Sequence, residues 1–192
     1  MVEAANMLGV DFCLNVVQDS EKRIVKVVGG DLIESHSQGV EFCRRYGQVE
    51  VGEPADIAIA STGYPVDISL YQSIKAVVAA EPFVRKGGTM ILLAECQDGF
   101  GGRLFEDYMT SLFSPSEIVN RIADEGYTAD IDHCYLLARL LKDVCIIVVS
   151  RRQIIHETNK FLIRTTASSK EAIRMALEEE GRDATITVLP YV

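Results

Sequence analysis

The sequence predicts an α/β fold of three layers, a largely parallel sheet between helices, with a small antiparallel hairpin at its N-terminal end. Three observations carry this. Short apolar runs rich in Val, Ile and Ala alternate with longer segments of helical periodicity. Ala55 to Ser61 and Gly88 to Glu95 are strand-length, mostly apolar runs, and Cys145 to Ser150 is a continuous apolar strand, as in strands covered on both faces. Each is separated from the next by enough chain for a helical crossover, which parallel pairing requires.

The elements follow in order. Val10 to Val17 and Ile24 to Val28 are β-rich and are joined by Gln18 to Arg23, short enough only for an antiparallel connection. Gly29-Gly30-Asp31 ends the second strand, and Leu32 to Tyr46 carries Leu32, Ile33, Val40 and Phe42 near helical spacing, with Asp31 as natural N-cap. A short run at Val49 to Val51 precedes the strand Ala55 to Ser61. Thr62 to Pro65 breaks that strand, and Asp67 or Ser69 can cap a helix running to about Ala80. After the strand Gly88 to Glu95 comes the glycine-rich stretch Gln97 to Gly102, then a helix near Arg103 to Leu112. Ser114-Pro115-Ser116-Glu117 starts another, with proline in an early position. His133 to Leu141 is helical, Phe161 to Thr165 extended, Ser168 to Glu180 a helix closed by Gly181, and Ala184 to Leu189 a final strand. No repeat, low-complexity tract or long linker interrupts residues 1–192, which read as a single α/β domain.

Composition narrows the function. With 28 acidic and 19 basic residues the net charge is -9, unfavourable for a phosphate-backbone partner, so no nucleic-acid partner is expected. The pairs Arg44-Arg45 and Arg151-Arg152 sit at plausible helix ends, where the helix dipole and solvent account for them. No segment reaches the roughly 18 apolar residues of a membrane span, and the start MVEAANMLGVDF lacks the features of a secretion signal. A cytoplasmic protein without a membrane partner is expected. The five cysteines are widely spaced with no CxxC pair, and His36, His133 and His156 have no zinc-ligand spacing, so no metal site is expected. Cys96 stands out only because it follows a strand and precedes the glycine-rich loop. GxSxG and P-loop signatures are absent, and DGFGG is not the dinucleotide fingerprint GxGxxG.

The helix after Pro65 carries the candidate site. Tyr71 and Lys75 are four apart and Gln72 and Lys75 three apart, so phenol, amide and ammonium can converge near one face. An ammonium beside an amide donor suits a small carboxylate, and a helix N-terminus adds to the attraction for an anion. In an open α/β sheet, loops after neighbouring parallel strands open on one edge, so 62–69 and 95–102 would wall a common crevice. These are binding groups without an evident reaction centre.

At these residues a resemblance enters. The blocks VDFCLNVV, IVKVVGGDLIESHSQGVEF, PADIAIASTGYPVDISLYQSIKA, GGTMILLAECQDGFG and CYLLARLL together resemble the C-terminal domain of nickel-dependent lactate racemases, most strongly from Pro54 to Gly102. The resemblance implies a Rossmann-like domain equivalent to the C-terminal half of a two-domain isomerase that racemises or epimerises lactate or another 2-hydroxy acid. It implies hydride transfer through a nickel pincer nucleotide not held by this chain alone. The N-terminal domain, with the cofactor lysine, the nickel-binding histidine and the acid/base histidines, would be the partner. This chain would hold no complete catalytic set and would be inactive in isolation. Tyr71, Gln72 and Lys75 match substrate- and cofactor-facing positions of that family, and Tyr135 a place where some members carry an aromatic wall. The turn Ser61 to Pro65 is leaner in glycine than the family's, which leaves the particular 2-hydroxy acid open. The alternative is a freestanding α/β module that captures a small anionic ligand without chemistry. A nicotinamide oxidoreductase fits less well, because the first strand-to-helix turn lacks the dinucleotide fingerprint.

Overall fold

The computed structural model describes residues 2–48, 52–111, 114–126, 128–150 and 163–190. Where the sequence reads as one continuous domain, the chain groups into two compact units, Met1–Val51 and Gly52–Val192. The reason lies in the strand pairing: the N-terminal hairpin pairs only with itself and is not continuous with the parallel sheet.

The first unit holds α1 (Val2–Leu8), β1 (Cys13–Gln18), β2 (Ile24–Gly30) and α2 (Leu32–Gly47). β1 and β2 are antiparallel, with Val16 opposite Val27 and Leu14 opposite Gly29. Asp19 shapes the turn between them: its carboxylate accepts from Glu21 N at 2.9 Å and from Arg23 N at 3.0 Å. Asp31 caps α2 as the sequence implies, accepting from Ile33 N and Glu34 N, and Arg44 and Arg45 occupy the last turn. α1 has no counterpart in the sequence reading; it is seven residues long and buries no side chain.

The second unit is built on a five-stranded, all-parallel sheet in the order β6 (Arg164–Thr166), β5 (Cys145–Val149), β4 (Val84–Leu93), β3 (Ala55–Ser61), β7 (Ile186–Leu189). Side chains alternate across the pleat, so one face presents Ala58, Ala60, Met90, Leu92, Ile146 and Val148 to a core shared with α3 (Leu70–Ala80), α4 (Arg103–Ser111), α5 (Pro115–Glu125) and α6 (Asp132–Leu140). The opposite face presents Ile57, Ile91 and Ile147 to Ala172 and Ala176 of α7 (Ser169–Glu180). Small alanines at the contact let α7 lie close to the sheet. This is the three-layer arrangement the sequence predicts.

Boundaries differ in instructive places. β4 begins at Val84, four residues before the apolar run, because Arg85 joins the sheet through ion pairs to Asp56 (2.7 Å) and Glu180 (2.6 Å) rather than by burial. Gly88 lies where a Cβ would stand 2.6 Å from Asp56 O, so only glycine fits this close strand approach. The helix after Pro65 begins at Leu70, with Ser69 and not Asp67 as cap; Val66–Ile68 form a single 3-10 turn before it. Ser114 makes a full capping box with Glu117 at the start of α5. The expected run at Val49 to Val51, the start of the extended segment at Phe161, the Arg151-Arg152 pair and His156 lie outside the described residues. No helix among the described residues is long and apolar enough to cross a membrane.

Candidate functional site

The site forms where β3 and β4 release the chain at their carboxyl ends. Two loops meet there and are laced together by four backbone hydrogen bonds. Cys96 N donates to Asp67 O (2.8 Å), Asp98 N to Ile68 O (2.8 Å), Leu70 N to Gly99 O (3.0 Å) and Tyr71 N to Phe100 O (3.0 Å). Ser69 completes the junction: its Oγ accepts from Gln72 N at 3.3 Å, and its carbonyl accepts from Ser73 N and Ser73 Oγ. The first-turn N–H groups of α3, which a free helix end would offer to an anion, are therefore used by the 97–102 loop and by Ser69. The sequence-based expectation that this helix end attracts an anion does not hold, and the glycine-rich loop acts as a clamp on α3.

α3 presents Gln72 and Lys75 on one side and Tyr71 on another. Lys75 is exposed, and its Nζ donates to Gln72 Oε1 at 2.6 Å. Helical spacing would also allow Tyr71 to approach Lys75 four residues on, but tertiary packing takes its ring toward α4 and α6 instead. Its ring meets Phe105 edge-on at 5.6 Å and lies 4.2 Å from the His133 ring. Its hydroxyl is 3.5 Å from both Asp130 Oδ1 and Asp132 Oδ1. Burial raises the Tyr71 pKa, and the charges of Asp132 and Asp130 raise it further, so the group is a neutral phenol at physiological pH. Burial also acts to raise the Asp132 pKa, but the His133 side chain, its Nδ1 3.2 Å from Asp132 Oδ2, outweighs it and leaves the carboxyl below its ordinary range. Of the four residues singled out from the sequence, the fold pairs Gln72 with Lys75, sets Tyr71 among α4 and α6, and leaves Tyr135 43% exposed on α6.

Asp130 and Asp132 escaped the sequence reading, and His133 entered it only as a histidine without zinc-ligand spacing at the start of a helix. Their only local signal is a D-x-D-H run, and their approach to Tyr71 spans about sixty residues of chain, so spacing could not reveal it. Cys96 is fully buried, and burial pushes its thiol up to about 11, with Ser73 and Ser150 hydrogen bonds opposing. A protonated, enclosed thiol is no nucleophile.

The profile of the lactate racemase C-terminal domain matches residues 51–191. The chain belongs to that family. It is 32% identical to the lactate racemase of Thermoanaerobacterium thermosaccharolyticum over 194 residues, covering 99% of this chain and 45% of that protein. It is 30% identical to the lactate racemase of Lactiplantibacillus plantarum, covering 99% and 46%. The structure of the lactate racemase apoprotein from T. thermosaccharolyticum superposes with a TM-score of 0.91 at 32% identity, over 98% of this chain and 46% of that one. A Thermotoga maritima protein matches in fold alone, with a TM-score of 0.59 at 10% identity over 92% and 49%. The chain spans about half the length of the curated relatives it matches.

Two cavities flank the clamped loops. One, about 450 Å³, is lined by Ser69, Gln72, Asp98, Phe100, Arg103 and Glu106. The other, about 400 Å³, opens at the strand ends between Ser61, Asp67, Glu95, Ser150 and Ser169. Gln72 lines the first and holds Lys75, so the amide links that cavity to the exposed ammonium. Among the described residues no three His, Cys, Asp or Glu side chains gather as metal ligands.

Proposed function

We propose that this chain supplies the substrate-carboxylate site of a 2-hydroxy acid racemase or epimerase that works with a nickel pincer nucleotide. The observation that carries the reading is the Lys75–Gln72 pair on α3. An ammonium has three N–H donors; one goes to Gln72 Oε1, and two remain for a carboxylate. With Oε1 occupied by Lys75, the Gln72 amide N–H₂ is left as donor on the same side. Together they form a cationic, hydrogen-bonding seat that fixes the end of a 2-hydroxy acid and thereby the direction of its C2–H bond. The neutral Tyr71 ring, packed on Phe105 and His133, stiffens the junction from which α3 projects.

The nucleotide supplies reversible hydride acceptance from the 2-carbon. The donor chemistry present fits a division of labour: this chain offers a carboxylate seat, its α3 N–H groups are already engaged, and holding the nickel falls to the other half of the enzyme. Orientation and charge neutralisation of the substrate are what this chain's residues do.

The test is Lys75→Ala in the native polypeptide that contains this chain, assayed for interconversion of D- and L-lactate, with nickel measured in parallel. Loss of one or two charge-assisted hydrogen bonds predicts a fall in kcat/KM of roughly 10- to 100-fold or more at unchanged nickel content. Unaltered kinetics would remove Lys75 from the site, and absence of racemisation of any 2-hydroxy acid by the unsubstituted enzyme would remove the reading itself.

A further inference from the structure

The first unit has too little interior to stand alone. Among its described residues only Val17, Val28, Ser35 and Gly39 are buried. β1 and β2 form a two-stranded sheet, marginal in water without a third strand or a covered face. One face is covered. Val17 and Val28 are its buried side chains, Gly39 of α2 lies within 3.5 Å of Val28 Cγ2 when a Cβ is built, and Lys26 stands over the Phe42 ring of α2.

Within the first unit the opposite face is apolar and open. Val16 and Val27 are cross-strand partners, and Leu14 is opposite Gly29. Phe12 and Leu14 fold over Gly29, where a Cβ would stand 3.2 Å from the Phe12 ring and 3.3 Å from Leu14 Cδ1. Yet Phe12 and Leu14 are 66% exposed, Val16 48% and Val27 53%. A contiguous uncharged patch of this kind on a hairpin with unpaired outer edges marks a surface built to be covered.

Two further facts name what covers it. The match to the C-terminal domain family starts at residue 51, where the compact units divide, so the first unit is outside that family's domain. The lactate racemases nevertheless align with 99% of this chain, the first unit included, and are more than twice its length.

We propose that residues 2–48 are a structural part of a second domain. The open face of β1–β2, formed by Phe12, Leu14, Val16 and Val27, docks on the half of a longer polypeptide that lies outside this chain. The proposal rests on the part of the functional reading that makes this chain one half of a longer enzyme, and not on the chemistry given to Lys75.

The test substitutes Leu14→Thr, Val16→Thr and Val27→Thr together, which keeps β-propensity while removing apolar surface. In the 192-residue chain the triple variant should leave Tm within about 1 °C and reduce binding of a hydrophobic dye, since nothing within the first unit covers the face. In the native polypeptide it should lower Tm by roughly 5 °C or more. Hydrogen exchange on the unsubstituted proteins gives a readout independent of the variant's folding: the β1 and β2 amides should exchange at least about tenfold more slowly in the native polypeptide than in the 192-residue chain. Equal exchange rates, or an unchanged Tm in the longer protein, would overturn the proposal. So would a native polypeptide of only 21.2 kDa, or a dimer of the 192-residue chain that the triple variant dissociates, which would make a second copy the occupant. Unaltered kinetics in Lys75→Ala with none of these outcomes would remove Lys75 from the site and leave the docking surface standing, so the two readings fail separately.

Discussion

Gly101 approaches Ser69 so closely that a Cβ on it would stand 2.3 Å from Ser69 Oγ, the atom that caps α3, and 3.3 Å from Tyr71 Cβ. Its φ of +84° adds a second reason for glycine. The clamp thus sets where the helix carrying Gln72 and Lys75 begins.

Gly101→Ala should therefore cost about 1–3 kcal/mol through overpacking, in addition to left-handed backbone strain. Gly99 shares a positive φ, +70°, but has nothing within 4 Å of its would-be Cβ. Gly99→Ala should show only the strain. Chemical denaturation of both variants separates the two costs; equal losses would mean that the approach to Ser69 contributes nothing.

Gln72→Leu keeps the length of the side chain near α3 but removes both the acceptor that orients Lys75 and an anion donor. On the proposed function, kcat/KM for the 2-hydroxy acid should fall roughly 10-fold, less than for Lys75→Ala, because the ammonium survives and loses only its fixed position. Steady-state kinetics of the native polypeptide decide it. A larger loss in Gln72→Leu than in Lys75→Ala would reverse the roles given to the two residues.

Acid should weaken a node at the opposite, amino-terminal end of the sheet. The Arg85 side chain, then the Thr185 backbone N–H and hydroxyl, hold the Asp56 carboxyl far below the usual carboxylate range. A folded-state pKa below the unfolded one contributes stability that is complete above the unfolded value, about 3.9, and is lost as pH falls through the folded one. The Tm difference between the natural chain and Asp56→Asn should thus be constant from neutral pH to about 5 and shrink below about 4. A difference that grew on acidification would contradict this sign.

Thiol reactivity should follow enclosure. Burial pushes Cys96 up to about 11 and Cys134 up to about 12, whereas Cys43 is exposed on α2. Iodoacetamide at pH 8 should label Cys43 first and reach Cys96 and Cys134 only after denaturant is added. Peptide mass spectrometry checks the order, and native-state labelling of Cys96 at the rate of Cys43 would show that the 95–102 loop opens readily.

Much of the fold was legible because its signals are local. The runs Ala55 to Ser61 and Cys145 to Ser150, the cap Asp31 and the helix start at Ser114 stand within a few residues of the elements they define. β4 began early because Arg85 is held by Asp56 and Glu180, 29 and 95 residues away, and no window around Val84 contains that information. α1 was not read because seven residues with no buried side chain leave little periodic signal.

The candidate site divides along the same line. That Gln72 and Lys75 can meet follows from their spacing alone, because three residues is nearly one helical turn. That Tyr71 leaves them for Phe105 and His133, that the α3 N–H groups are consumed by Gly99 and Phe100, and that the hairpin stays outside the parallel sheet were decided only in three dimensions. Helix periodicity and capping are properties of neighbouring residues, whereas the direction of a side chain between two elements depends on which distant surfaces the whole chain brings against it.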